Sequence, residues 1–136
     1  MTPIDWDEKY SVNVKEIDDD HKKLFLLFNK LQDGMITGKN NEELELALSE
    51  LIDYTILHFT TEEKLMQQFS YIGYVEHKRI HDDLIAEAME LQEKFSQGKI
   101  ALSEEVSVFL TAWLTDHILD MDKKYAPLFK STGESS

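Results

Sequence analysis

Three of the five histidines in the chain lie in residues 58 to 81, HFTTEEKLMQQFSYIGYVEHKRIH, and their spacing limits how this segment can fold. His58 and Glu62 are four residues apart, and so are His77 and His81. Residues at this spacing lie on one face of an α-helix, about one turn apart. The segment therefore predicts two helices joined by a short turn, each presenting two polar side chains in the same direction.

The whole chain shows the same organisation, with four segments of helical apolar spacing separated by short stretches rich in Gly, Asn and Ser. The sequence predicts one all-α domain over residues 1–136. An N-terminal arm at 1–17 comes before the helices, and a polar tail at 130–136 follows them. The four helices are predicted at about 18–38, 41–68, 73–97 and 103–122. Asp18, Asp19 and Asp20 are predicted to form the cap and first turn of the first helix. Four helices of similar length with short connections favour an antiparallel, up-down-up-down four-helix bundle.

The histidines continue the apolar stripes of these helices. In the second helix, His58 and Glu62 follow Leu44, Leu48, Leu51 and Thr55 in steps of three and four and precede Leu65, so the polar pair is predicted to point inward. In an antiparallel bundle, the starts of the first and third helices lie beside the ends of the second and fourth. One end of the core is thus predicted to hold His21, His58, Glu62, His77, His81, His117 and Asp122, and the other end to be purely hydrocarbon.

Such a cluster indicates a metal site. Burying polar groups without partners costs roughly 1–3 kcal/mol each, and metal coordination removes that cost. The chain has no cysteine, so its ligands are nitrogen and oxygen. Seven side chains suit two ions, and with bridging carboxylates and a bridging oxide or hydroxide they leave one coordination position open to a small molecule. The residues fit iron, but also zinc, manganese or copper.

The fourth helix leaves its carboxylate ligand open. His117 and Asp122 are five residues apart, which is about 140° of rotation in a regular helix. A local π-type turn, or the end of the helix, would aim both at one site. Asp122 is the hypothesis, and Asp120 and Asp116 are the alternatives.

The order of these motifs resembles the hemerythrin family, in its single-domain bacterial form, over nearly the whole chain. The matching stretches are IDDDHKKLF, HFTTEE, HKRIH and WLTDHILDMD. The resemblance implies two iron ions with an oxo or hydroxo bridge, one ion held by His77, His81 and His117 and the other by His21 and His58. Glu62 and Asp122 would bridge them, and dioxygen would bind at the two-histidine iron. An apolar pocket is expected from Trp113, Leu114 and Ile118, with Leu24 and Phe59 as weaker candidates. Asp20 stands where many relatives are expected to have glutamine. Its charge could tune the site, but it is expected to face solvent.

The resemblance implies reversible dioxygen binding, for storage, delivery or scavenging, rather than an enzyme. Oxygen-activating bundles use Glu-x-x-His pairs, and no histidine here has a glutamate three residues before it. An oxygen or redox sensor with a signalling partner, and a di-iron peroxidase or nitric-oxide-processing enzyme, are the alternatives. A net charge of −13 disfavours nucleic acid and membrane surfaces. No apolar run is long enough for a membrane span and the first residues do not resemble a secretion signal, so a cytoplasmic protein is expected. The charged surface favours a monomer.

Overall fold

The computed structural model describes residues 4–102, 104–116 and 124. Within these residues the regular elements are helices: a 3₁₀ turn at Glu8–Tyr10, then α1 at Lys15–Thr37, α2 at Asn41–Gln68, α3 at Tyr74–Ser96 and α4 at Glu104–Asp116. The all-α fold predicted from the sequence is therefore confirmed. In the part of the chain that the structure describes, none of the helices is long and apolar enough to cross a membrane.

Side-chain contacts between neighbouring helices show that they run antiparallel. Between α1 and α2, Tyr54 bonds Asp20, whereas Lys30 pairs with the earlier residue Glu50. The same opposite order holds between α2 and α3, where His81 lies beside Glu63 and Gln92 beside Ser49. The helix α4 completes the bundle through two hydrogen bonds, from Trp113 to the carbonyl of Leu84 and from Ser107 to Gln32.

The start of α1 differs from the prediction. The helix begins at Lys15, three residues before the expected position, and its N-cap residue Val14 makes no side-chain capping bond. Asp18 lies in the first turn, as predicted, and its carboxylate accepts hydrogen bonds from the Val12 amide at 2.9 Å and the Ser11 hydroxyl at 2.6 Å. Asp18 therefore attaches the arm to α1 instead of capping the helix.

The loops between the first helices follow local chemistry. Gly38 ends α1 with φ of 76°, a left-handed conformation that glycine adopts without steric cost. Two residues later Asn40 caps α2, accepting a hydrogen bond from the Glu43 amide at 2.9 Å. The short loop places α2 beside α1 in the opposite direction.

The N-terminal arm is part of the core. Asn29 of α1 binds both the amide and the carbonyl of Ile4 at 2.8 Å, which fixes the start of the arm. Trp6 and Tyr10 then pack on Phe25, with ring centroids 5.0–5.9 Å apart. A second apolar cluster is formed by Val12, Val14, Ile17 and Met66. Met66, instead of the predicted Leu65, is the fully buried residue near the end of α2.

One expectation about polarity was wrong. The end of the core away from the histidines is not purely hydrocarbon, because Ser107 donates a 2.6 Å hydrogen bond to the buried amide oxygen of Gln32. The surface carries apolar as well as charged side chains. Large apolar side chains are exposed on all four helices and on the loop before α3, among them Leu26, Leu46, Leu57, Ile72, Val75, Met89 and Val108.

Candidate metal centre

Five of the seven predicted ligands converge in the described part of the bundle. They come from three helices: His21 from α1, His58 and Glu62 from α2, and His77 and His81 from α3. All five are buried, with exposures of 0–2%. They form two groups of three, His21 with His58 and Glu62, and His77 with His81 and Glu62. Within each group the potential ligand atoms lie within 4.8 Å of one another, and the two groups share Glu62.

The turn between α2 and α3 makes this convergence possible. Tyr71 donates from its amide to the carbonyl of Met66 at 2.8 Å, and Ser70 has φ of 53°, which reverses the chain over a few residues. The helix α3 then starts at Tyr74, so that His77 lies in its first turn and His81 one turn later. His77 and His81 are brought beside Glu62 because the two helices leave the turn antiparallel.

Glu62 lies at the centre of the cluster. Its Oε1 atom is 3.1 Å from His58 Nε2 and 3.5 Å from His81 Nε2, and its Oε2 atom is 3.9 Å from His21 Nε2. The imidazole rings within each pair meet edge to face, with centroids 4.6 Å apart for His21 and His58 and 4.5 Å apart for His77 and His81. Three ring nitrogens thus face one carboxylate from three helices.

Two further carboxylates hold the outer nitrogens of the rings. Asp20 Oδ2 is 2.9 Å from His58 Nδ1, and Glu63 Oε2 is 2.9 Å from His81 Nδ1. The expectation that Asp20 faces solvent was wrong, because its side chain is 22% exposed and also accepts a 2.9 Å hydrogen bond from the Tyr54 hydroxyl. A carboxylate on the outer nitrogen fixes the ring orientation and makes a ligating imidazole more basic.

These contacts shift the titration of the groups around the centre. Burial acts to raise the pKa of Asp20, but the hydrogen bonds from His58 and Tyr54 outweigh it, and the net shift is downward. Burial and the bond to Asp20 raise the pKa of Tyr54 to about 12. Burial raises the pKa of Glu63, against the opposing effect of Lys78. Asp20 is therefore an ionised acceptor and Tyr54 a protonated donor at neutral pH.

The donor set fits a cation. Because ionised Asp20 can only accept, the proton of a neutral His58 lies on Nδ1, and the lone pair of Nε2 points to Glu62 Oε1 at 3.1 Å. Two acceptors this close repel each other unless a proton or a metal ion lies between them. Imidazole nitrogen and carboxylate oxygen together are typical ligands of iron, zinc and other divalent transition metals.

The predicted apolar pocket is described in part. Leu24, Trp113 and Leu114 are buried and belong to one continuous apolar cluster, and the Trp113 indole donates to the carbonyl of Leu84 at 3.2 Å. Phe59 is buried and stacks on His81, with ring planes 4° apart and centroids 3.7 Å apart. His117, Asp122, Ile118 and the alternative Asp120 lie outside the described residues. Asp116, the other alternative, is exposed.

Tyr54 and Glu63 are contacts that the sequence reasoning did not assign. Tyr54 is four residues before His58, so both lie on one face of α2, and this spacing was a usable signal. Tyr54 and His58 both contact Asp20, which is 34 positions before Tyr54 and on another helix. Only the register between α1 and α2 reveals that contact.

Comparisons with known proteins agree with this architecture. Residues 12–129 match the family described as the hemerythrin HHE cation binding domain. A bacteriohemerythrin of Methylococcus capsulatus is 39% identical over 119 residues, covering 88% of this chain and 90% of the relative. A hemerythrin-like protein of Naegleria gruberi is 31% identical, covering 91% and 92%. The crystal structure of a wild-type hemerythrin superimposes with a TM-score of 0.87 at 36% identity, covering 93% of this chain and 98% of that structure.

The chain thus combines an antiparallel helical bundle with a buried cluster of imidazoles around a carboxylate, in the arrangement of a cation-binding domain. It belongs to the hemerythrin family.

Proposed function

We propose that this protein binds dioxygen reversibly at a non-haem di-iron site, for oxygen storage, delivery or scavenging. The proposed ligands are five histidines with two bridging carboxylates: His21, His58, His77, His81, His117, Glu62 and Asp122. The observation that carries the proposal is the convergence of four buried imidazoles on Glu62 in a chain of the hemerythrin family. Iron is the proposed metal and dioxygen the proposed ligand.

The side chains around the centre would divide the work. His21 and His58 would hold one ion and His77, His81 and His117 the other, with Glu62 shared between them. When bound, the iron ions supply the electrons that reversible dioxygen binding requires. Asp20 and Glu63 hold His58 and His81 by their outer nitrogens and so keep the inner nitrogens directed at the centre.

Reversibility needs a site from which water is excluded. Leu24 and Phe59 are 1% and 3% exposed, and Trp113 and Leu114 are 7% and 3% exposed. These apolar side chains, together with Ile118, form the proposed dry pocket. A carrier is favoured over an enzyme because the described donors are four imidazoles with one carboxylate, whereas oxygen-activating bundles use mostly carboxylates.

The test is metal content measured together with the visible absorption spectrum. Protein reduced without oxygen, then exposed to air, then returned to low oxygen is expected to hold about two iron ions per chain, as seven ligands require. Its colour should appear with oxygen and disappear without it. A different metal, or irreversible conversion to a ferric form, would contradict the carrier function.

The assignment of Asp122 needs its own pair of variants. Asp122→Ala is expected to lose iron and the oxygen-dependent colour, because it removes a proposed bridge. Asp116→Ala removes an exposed carboxylate from the same region and is the matched control, expected to retain both. An Asp122→Ala protein with full iron content and an unchanged spectrum would show that another residue supplies the second carboxylate.

A further inference from the structure

The two halves of the candidate centre have different outer hydrogen bonds. On the His81 side, Glu63 Oε2 lies 2.9 Å from the ring nitrogen Nδ1. On the His58 side, Asp20 contacts the ring at 2.9 Å with one oxygen and accepts the Tyr54 hydroxyl at 2.9 Å with the other. A continuous chain of two hydrogen bonds therefore joins Tyr54 to His58.

Tyr54 occupies a position between the site and the surface. Its ring is partly buried, and the Lys23 ammonium lies over it, 4.9 Å from the centroid. A surface cleft runs along the same side of the ring, lined by Lys23, Leu27, Glu50, Asp53, Tyr54 and Leu57. The hydroxyl points inward to Asp20 while the ring borders this cleft. Tyr54 is thus the outermost member of the chain that ends at His58.

We propose that Tyr54 is a positioning residue that acts through Asp20 to fix the orientation of His58 and to moderate how strongly this imidazole donates electrons to its metal ion. The inference rests on the proposed di-iron function. The proposed effect of Tyr54 is on the ion held by His21 and His58. Glu63 would affect the other ion, through His81.

The physical argument gives the direction. A phenol that donates to a carboxylate takes up part of its negative charge, so Asp20 pulls less strongly on the His58 Nδ1 proton. Without the phenol, Asp20 would pull more strongly, the ring would become more imidazolate-like, and the higher oxidation state of the ion would be favoured. Without the carboxylate charge, the ring would become a weaker donor and the lower oxidation state would be favoured.

The hydrogen bond from Tyr54 to Asp20 and the one between Asp20 and His58 can therefore be tested separately, by two isosteric variants with opposite expected effects. In the iron-loaded protein, Tyr54→Phe is expected to lower the reduction potential, and Asp20→Asn is expected to raise it. Asp20→Asn should also weaken iron binding by about 10–100-fold, whereas Tyr54→Phe, one bond further from the ion, should weaken it by about tenfold or less. Tyr10→Phe, which removes a phenol oxygen from the arm beside Phe25, is the matched control and should leave the potential unchanged.

A second readout does not need the metal. In the metal-free protein, the His58 Nδ1 proton and its nitrogen, observed by NMR, report the bond to Asp20 directly. Tyr54→Phe should shift this signal and Tyr10→Phe should not. A local packing defect alone would not reproduce opposite potential shifts in the two variants.

The outcomes distinguish the inference from the function on which it rests. Opposite shifts of the potential, with a displaced His58 signal in Tyr54→Phe, support the positioning role. Shifts of the same sign, or a Tyr54→Phe protein identical to the wild type in both readouts, overturn it. If the wild type takes up no iron, the proposed function fails, and the NMR signal of the metal-free protein alone then decides whether Tyr54 positions His58.

Discussion

Glu62 is the residue on which the two halves of the centre depend. Its carboxylate is fully buried, and among the described residues it belongs to both groups of potential ligands, one with His21 and His58 and the other with His77 and His81. A buried carboxylate is tolerated when it is paired or bound to a metal. Since both groups use Glu62, its charge serves two ions in the proposed site.

Replacing Glu62 by glutamine is expected to disrupt the whole centre. The side chain keeps its shape but loses the charge that faces the imidazoles. Iron affinity should fall by more than the roughly 10–100-fold that follows loss of an outer hydrogen-bond partner. The measurement is iron bound per chain after dialysis against a graded series of competing chelators.

Glu63→Gln provides the comparison, because Glu63 is the adjacent residue and contacts His81 from outside at 2.9 Å. Its effect should stay within roughly 10–100-fold. Equal losses in the two variants would show that Glu62 acts only through packing or through the general charge of the region.

At the scale of the elements, the arm and α1 are coupled next to the site. Asp18 holds the Val12 amide and the Ser11 hydroxyl, and it lies three residues before His21 on the same helix. Val12 and Val14 are buried with Ile17 and Met66, so this segment covers the core near the start of α1 and the end of α2. The arm is therefore a part of the structure that positions the first histidine.

Asp18→Ala is expected to release this segment. Loss of two bonds to a charged, partly buried acceptor should lower the free energy of unfolding by about 2 kcal/mol. Urea denaturation measures the loss, and hydrogen exchange of the Val12 amide should become faster. Asp19→Ala is the control, because Asp19 is exposed and pairs only with the exposed Lys15 among its described contacts. Slow exchange at Val12 in the Asp18→Ala protein would contradict the coupling.

The elements also show what the sequence could and could not predict. Apolar stripes with histidines in register predicted the bundle and the burial of His21, His58, Glu62, His77 and His81, because helical periodicity alone determines which face turns inward. Glycine and asparagine signals located the first loop. These inferences need only local spacing.

Contacts that depend on the register between helices were missed. Asp18 and Asp20 were interpreted as a helix start and a solvent-facing residue, because acidic residues before an apolar stripe usually are. Their actual partners are Val12 and His58. These contacts are determined by how the arm folds back on α1 and by the register between α1 and α2. Neither can be obtained from spacing in one segment.

At the scale of the whole molecule, antiparallel topology brings His21, His58, Glu62, His77 and His81 to one end of the bundle. The opposite end holds the buried Gln32–Ser107 pair. Both ends thus contain buried polar groups, but within residues 4–102 and 104–116 the groups suited to a cation lie at the histidine end. The net charge of −13 favours cation binding, since each bound cation reduces the negative charge of the folded protein. The monomeric state expected from the surface charge stays a prediction, given the exposed apolar side chains on every helix.

Metal binding should therefore stabilise the fold as a whole. A ligand that binds only the folded state, at a free concentration 100 times its dissociation constant, adds about 2.7 kcal/mol. For a domain of this length that corresponds to a rise of roughly 10 °C in the melting temperature. The measurement is thermal unfolding followed by circular dichroism without oxygen, for the metal-free protein and for protein with ferrous iron.

Magnesium, which prefers oxygen ligands, is expected to give little or no shift. The Glu62→Gln protein should lose most of the shift given by iron, because its charge lies between the imidazoles that would hold the ions. An equal shift with magnesium, or an undiminished one in Glu62→Gln, would mean that cations stabilise the protein by screening its acidic surface and not by binding the buried cluster.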